Sequence, residues 1–294
     1  MTGEHAIEIH GLCKTYSTGQ EVLRGLELEV PRGSVFGLLG RNGAGKTTAI
    51  RTLMGLIRPS AGLVQVLGDR SSPLSVETRQ RIGYLSQDQR MFSWMDLEQL
   101  IGFTSSFYPR WDRRYADELI DRLDLPLGIP FSAFSRGEQQ KAGLLLALGH
   151  RPELLILDEP AASLDTVVRR EFLESVLDLL TREGATVLIS SQILTDIERI
   201  ADWIGILSEG RMLVAAPLDD LKESIKRLRI RFDEGPPPPV EVPGAISSRC
   251  HGREVLVTVD CFEPGIIDTL KKRYNATVEV QNVDLEEIFI ELVG

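Results

Sequence analysis

The stretch that decides the fold is Gly40-Arg41-Asn42-Gly43-Ala44-Gly45-Lys46-Thr47-Thr48. It satisfies G-x-x-x-x-G-K-[ST], with Gly40, Gly45, Lys46 and Thr47 in the fixed slots. Ser34-Val35-Phe36-Gly37-Leu38-Leu39, just before it, is an apolar run of strand length. Thr48-Ala49-Ile50-Arg51-Thr52-Leu53-Met54 follows as the first turns of a helix. In that setting the glycines let backbone N–H groups curl around a phosphate, and the helix N-terminus adds partial positive charge. Lys46 is then placed to reach the β- and γ-phosphates of a nucleoside triphosphate, and the Thr47 hydroxyl to ligate Mg²⁺.

Working outward, Ile7 to Leu12 and Leu26 to Val30 alternate as half-buried strands do, and Gly62 to Gly68 and Ile82 to Gln87 read as further strands. Glu153 to Pro160 is an apolar strand ending in the acids Asp158 and Glu159. A helix is expected from about Val167 to Thr181, a strand at Thr186 to Ser191, and a hairpin from Trp203 to Val214 turning at Ser208 to Arg211. Strands alternating with helices predict an α/β fold with a mostly parallel sheet covered on both faces. Between Phe92 and Phe134 lie nine of the eighteen aromatic residues. Helical spacing there, at Leu97, Leu100, Ile101 and at Leu119, Ile120, Leu123, marks a helical insert at about residues 88–148. Its aromatics are expected to form a small core of their own or a groove for a partner.

Residues 233–244 carry five of the fifteen prolines, a stiff loop inside a second unit. That unit, residues 226–294, is expected to be a small α+β accessory domain, leaving residues 1–225 to the nucleotide domain. Leu228, Ile230, Phe232 and Val255, Val257, Val259 mark strands, Ile266 to Tyr274 a helix, and Thr277 to Val280 a strand. Asp284 and Glu287 fit a capping box opening a last helix that buries Leu285, Ile288, Phe289 and Leu292.

The chain of 294 residues carries a net charge of −10, which speaks against a nucleic-acid partner. No apolar run is long enough to span a bilayer, and nothing near the start resembles a signal peptide. A cytoplasmic protein is expected, reaching a membrane only through a partner. Cys13, Cys250 and Cys261 show neither metal nor disulfide spacing and read as buried small hydrophobes. Asp158, at the end of a strand near the phosphate loop, is suited to hold Mg²⁺ through water. The adjacent Glu159 is suited to polarise an attacking water.

Phe134-Ser135-Arg136-Gly137-Glu138-Gln139-Gln140-Lys141 precedes the apolar helix Ala142 to Leu148. With the loop and the acids, it makes the chain resemble the nucleotide-binding subunits of ABC transporters over roughly residues 5–225. The family signature Leu-Ser-Gly-Gly-Gln aligns on Phe134 to Glu138. The resemblance implies a P-loop fold with an antiparallel N-terminal β part. It implies that ATP and Mg²⁺ are held by Asn42, Gly43, Ala44, Gly45, Lys46, Thr47 and Thr48, with Tyr16 stacking on adenine. Gln87 matches the Q-loop glutamine, near metal and water, Asp158 and Glu159 the end of Walker B, and Ser163-Leu164-Asp165 the D-loop. Ser135, Gly137 and Glu138 would serve the ATP of a second subunit, a copy of this chain or a paralogue. Hydrolysis in this head-to-tail pair would drive a separate membrane permease, coupled through a groove between the Q-loop and the insert. Phe107-Tyr108-Pro109-Arg110-Trp111-Asp112 and Leu285-Glu286-Glu287-Ile288-Phe289 resemble exporters of the bacitracin-resistance type.

Two positions depart from the family. Gln192 stands at the switch histidine and cannot carry charge or relay a proton, so slow hydrolysis is expected. Glu138 puts an acid near a phosphate, which weakens closure unless the side chain turns away. The alternatives are a regulatory ATP-binding module with little turnover, or a soluble ABC-type ATPase acting on nucleic acid or ribosomes. The latter carry coiled coils, tandem cassettes or basic surfaces, none of which is visible here.

Overall fold

A computed structural model describes residues 4–70, 73–87, 91–162, 164–233 and 235–294. The chain forms two compact units, Met1–Ala215 and Ala216–Gly294. The first begins with β1 (His5–Thr15), β2 (Glu21–Pro31), β3 (Val35–Leu39), α1 (Lys46–Leu53), β4 (Ala61–Val66), α2 (Val76–Arg79) and β5 (Ile82–Leu85). It continues through α3 (Leu97–Ser105), α4 (Arg113–Leu123), α5 (Arg136–Leu148), β6 (Leu154–Asp158), α6 (Thr166–Glu183), β7 (Thr186–Ser191), α7 (Leu194–Glu198), β8 (Trp203–Ser208) and β9 (Arg211–Pro217).

Six strands form the main sheet in the order β5-β6-β7-β3-β8-β9, and β2-β1-β4 form a separate antiparallel sheet. Pairing from β5 through β8 is parallel, so the strands are buried on both faces and read as unbroken apolar runs. Leu154 to Leu157 are all fully buried. Leu39 pairs with Ser191 and Asp158 with Ser190. The carboxyl ends of three neighbouring strands therefore lie level, the edge where ligands bind in open α/β sheets.

The insert has the periodicity its sequence announces, with Leu97, Leu100, Ile101, Leu119, Ile120 and Leu123 buried. Asp96 and Gln99 close a capping box on α3, and Asp112 caps α4 by accepting from the Tyr115 N–H at 3.0 Å. The aromatics divide between the two expected roles. Tyr115, Phe131 and Phe134 are buried, whereas Phe92, Trp94, Phe103 and Phe107 form an exposed ladder with ring centroids 5.1–5.2 Å apart.

Tyr108, ahead of α4, stacks on His150 at 3.9 Å. His150 is 2% exposed, and its Nε2–H donates to the Ile82 carbonyl at 3.2 Å, tying the end of α5 to the start of β5.

The second unit contains α8 (Leu218–Ser224), β10 (Lys226–Arg231), β11 (Ala245–His251), β12 (Glu254–Val259), α9 (Gly265–Tyr274), β13 (Thr277–Asn282) and α10 (Leu285–Val293). Its antiparallel sheet runs β11-β12-β10-β13. Leu228, Ile230, Val255, Val257, Val259 and Leu270 form its core. On the opposite face of β10, Arg227 bonds Glu287 and Arg229 bonds Glu254 at 2.8 Å. The Asp284–Glu287 capping box is present. Of the four apolar residues expected inside α10, Leu285 and Ile288 are buried while Phe289 and Leu292 are only partly covered. Strand β11 has no apolar alternation, because Ser247, Ser248, Arg249 and Cys250 lie on an exposed edge. Helices α2, α7 and α8 are too short to show a helical period. The cysteines correct the expectation of burial: Cys250 and Cys261 are exposed and Cys13 is intermediate.

Burial pushes the His150 pKa from 6.5 down to about 4, against the opposing effect of its bond to Ile82. The folded state thus favours neutral imidazole. Its contribution is complete above pH 6.5 and is lost as pH falls through that window towards 4. Urea unfolding should show His150 alone costing about 2 kcal/mol between pH 8 and pH 5. His150→Gln should flatten the pH dependence across that window.

Candidate functional site

The loop between β3 and α1 needs its glycines for two different reasons. A Cβ on Gly40 would lie 2.5 Å from the Leu207 carbonyl oxygen, so the backbone of β8 leaves no room there. Gly45 has φ 114°, and a Cβ on it would meet Leu23 at 2.8 Å. Gly45 is also the N-cap of α1 and supplies no side-chain cap, which leaves first-turn N–H groups for a phosphate. Lys46 opens that helix yet is only 4% exposed. Its ammonium donates to the Gly40 carbonyl at 2.6 Å and pairs with Glu159 Oε1 at 3.0 Å.

The second component comes from β6 and β7. Asp158 is buried, and its Oδ1 accepts from Thr47 Oγ1 at 3.2 Å and from Ser190 Oγ at 2.8 Å. Burial raises its pKa, and the bonds from Ser190 and Thr47 oppose that rise. Glu159 follows with φ 46°, and its N–H donates to Ser190 Oγ at 2.9 Å. Ser190 thus organises both acids, a role sequence reasoning missed. The available signal was a serine interrupting the apolar run of β7 beside the strand of Asp158. The pairing of a hydroxyl with a carboxylate fits a hard, oxygen-seeking cation. No group of three or more His, Cys, Asp or Glu able to hold a metal occurs among the described residues. Such a donor set suits Mg²⁺ that takes its remaining ligands from phosphates and water.

One open cleft is lined by Arg41, Asn42, Gly43, Gly45, Lys46, Thr47, Thr48, Gln87 and Glu159, together with Gln20 and Val22, which the sequence did not single out. Tyr16 stands at its edge, its hydroxyl 3.4 Å from Thr48 Oγ1. Ala44 is buried behind the loop and accepts the Gly210 N–H at 3.0 Å, so it supports the cleft without lining it. Gln192 is exposed after β7, in a neighbouring pocket that shares Glu159 with the cleft. Ser163 lies outside the described residues.

Ser135, Gly137 and Glu138 line a separate pocket with Arg136, Lys141, Leu164 and Asp165, and no residue is common to it and the phosphate cleft. Ser135 is the N-cap of α5. Its N–H donates to Glu138 Oε2 at 2.6 Å, and its Oγ accepts the Glu138 N–H at 3.3 Å. Glu138 therefore folds back onto its own helix, and those bonds, with Lys141 nearby, hold its pKa below the usual carboxylate range. A Cβ on Gly137 would meet Val168 at 2.8 Å, which fixes the close approach of α5 and α6. Glu138→Ala should cost about 0.5–1 kcal/mol in chemical denaturation, and Glu138→Gln much less, because glutamine at this position can still close the box.

The sequence profile of the family described as ABC transporter matches residues 23–162. The chain is 32% identical over 227 residues to the ABC transporter ATP-binding protein YtrB of Bacillus subtilis (strain 168), covering 77% of each. It is 34% identical over 219 residues to the bacitracin transport ATP-binding protein BcrA of Bacillus licheniformis, covering 74% of this chain and 71% of that protein. A bacterial ABC transporter cassette solved as a dimer superposes with a TM-score of 0.66 at 20% identity, over 72% of this chain and 98% of that chain, a likeness of fold. With a phosphate loop, paired acids and a capped signature helix on one sheet, the chain belongs to the ABC transporter family as an ATP-binding subunit, an ATPase whose hydrolysis drives transport.

Proposed function

We propose that this chain is the motor of an exporter, working as a head-to-tail pair with a second copy of itself and driving a separate membrane permease. The observation that carries the pairing is the separation of the two phosphate-facing sites. The cleft at Gly40 to Thr48 and the pocket at Ser135 to Glu138 share no lining residue. Each chain holds ATP in its own cleft and offers Ser135 and Gly137 to the ATP of its partner. A paralogous ATPase subunit would meet the same geometric need. The likeness to the bacitracin transport protein supports export.

In this reading Tyr16 stacks on adenine, Lys46 binds the terminal phosphates, and Glu159 orients the attacking water. Thr47 and Asp158, with Gln87 close by, would hold Mg²⁺, which when bound would supply charge neutralisation for the phosphates. No described helix is long and apolar enough to cross a membrane. In this reading work leaves the chain through a surface contact. The exposed ladder of Phe92, Trp94, Phe103 and Phe107, on the insert beyond Gln87, is the surface we assign to the permease. In this reading the chain works at the cytoplasmic face of the membrane. Residues 226–294 serve as an accessory domain.

Glu138 is tied to the Ser135 N–H of its own helix start, so its carboxylate has a partner within the chain. Gln192 remains the slow element, since an amide can hydrogen-bond phosphate but cannot carry charge. This same residue favours the second reading, a regulatory module that closes on ATP with little turnover. Steady-state ATPase assays separate the two. Under the motor reading, Glu159→Gln should abolish a measurable basal rate, by about 10²-fold or more, whereas a regulatory module has little rate to lose. Gln192→His should raise turnover and leave ATP affinity unchanged. A fall in turnover would make glutamine a working adaptation.

A further inference from the structure

Asp158 and Glu159 are neighbours in the chain with different tasks, one suited to a metal and the other to the attacking water. Two such groups have to be held to within about 0.5 Å of their working geometry. Hydrogen bonds from both lead to Ser190, which is fully buried on β7 and does not line the cleft. Ser190 lies opposite Asp158 in the pairing of β6 with β7, and opposite Leu38 in the pairing of β3 with β7. With a strand bonded on either side, β7 is a fixed reference for whatever it holds.

Chemistry fixes the direction of both bonds. A backbone N–H can only donate, so Ser190 Oγ accepts from Glu159 at 2.9 Å and spends its single proton on Asp158 Oδ1 at 2.8 Å. Glu159 needs the anchor, because φ 46° is an uncommon conformation for a residue with a side chain. The other acceptor for its N–H, the Ser190 carbonyl, is more distant at 3.2 Å. Asp158 Oδ1 also accepts from Thr47 Oγ1, at 3.2 Å. These two hydroxyls are not equivalent. Thr47 lines the cleft, where a ligand can compete for it, whereas Ser190 is sealed from water and makes the shorter bond.

We propose that Ser190 is a positioning residue for hydrolysis, its hydroxyl holding the carboxylate of Asp158 and the backbone of Glu159 in one relative geometry while Thr47 turns to a ligand. The loop at Gly40 to Thr48 holds nucleotide without this help, since neither bond of the hydroxyl reaches it. Loss of the hydroxyl therefore acts on turnover and spares binding. Ser190 has this role only if Asp158 and Glu159 have theirs, so the inference rests on the function proposed above and extends it to the group behind both acids.

The test compares Ser190→Ala, Ser190→Thr and Ser190→Val in the full-length chain, with Glu159→Gln as a reference. Threonine and valine have one shape, so their difference isolates the hydroxyl. Steady-state ATPase assays give kcat and KM, and binding of a fluorescent, non-hydrolysable ATP analogue in EDTA gives the affinity without metal. Ser190→Ala should lower kcat about tenfold or more, with metal-free affinity within about twofold of wild type. Ser190→Thr should turn over about fivefold or more faster than Ser190→Val. Urea unfolding shows which chains are folded; where the larger side chains are not accepted, Ser190→Ala against wild type decides. A kcat for Ser190→Ala within about twofold of wild type, beside an inactive Glu159→Gln, overturns this inference alone. Equal rates for folded threonine and valine variants overturn it too, as does a parallel loss of kcat and metal-free binding, which marks a merely structural role. A Glu159→Gln chain that keeps its full rate overturns the function proposed for the acids, and this inference with it.

Discussion

The phosphate end of this fold depends on one buried positive charge. Lys46 opens a helix at a position almost closed to water, where an uncompensated ammonium would be costly. Its surroundings follow from that constraint. The loop supplies the Gly40 carbonyl at 2.6 Å, and Glu159 supplies the counter-charge at 3.0 Å. Ser190 holds the backbone of Glu159 while also bonding Asp158. The parallel register of β3, β7 and β6 is what brings these groups level.

The signature helix meets a different constraint. Its first-turn N–H groups need partners, and a capping box between Ser135 and Glu138 satisfies two of them within the chain. An acid where the family has glutamine thus has a local structural use. Closure of the box ties the carboxylate to the Ser135 N–H, while the N–H groups of Arg136 and Gly137 are not part of it. The two helix starts at the candidate site thus differ, bare of a side-chain cap at Gly45 and capped at Ser135.

Much of this was legible in the sequence, for identifiable reasons. Parallel strands buried on both faces announce themselves as apolar runs, so β3, β6 and β7 are visible, and the acids terminating β6 stand out against them. Strong local rules also found the capping box at Asp284 and the helical faces of the insert. What escaped depends on tertiary approach. Ser190 matters only because β7 lies beside β6, and Gln20 and Val22 line the cleft only because the antiparallel sheet reaches the loop. Ala44 shares the motif yet is buried, and its carbonyl accepts the Gly210 N–H. Edge strand β11 lacks an apolar face to read, and the exposure of Cys250 and Cys261 follows from the edge and loop on which they lie.

The central claim is that each ATP lies between the loop of one chain and the signature of another. Mixing two defective chains tests it most directly, one carrying Lys46→Ala and the other Ser135→Arg. Neither alone can form a complete site, but a mixed pair contains one site with an intact loop and an intact signature. The account predicts that ATPase activity, absent from each variant alone, returns on mixing. If the mixture stays as inactive as its components while both chains remain folded and able to pair, the shared site is contradicted.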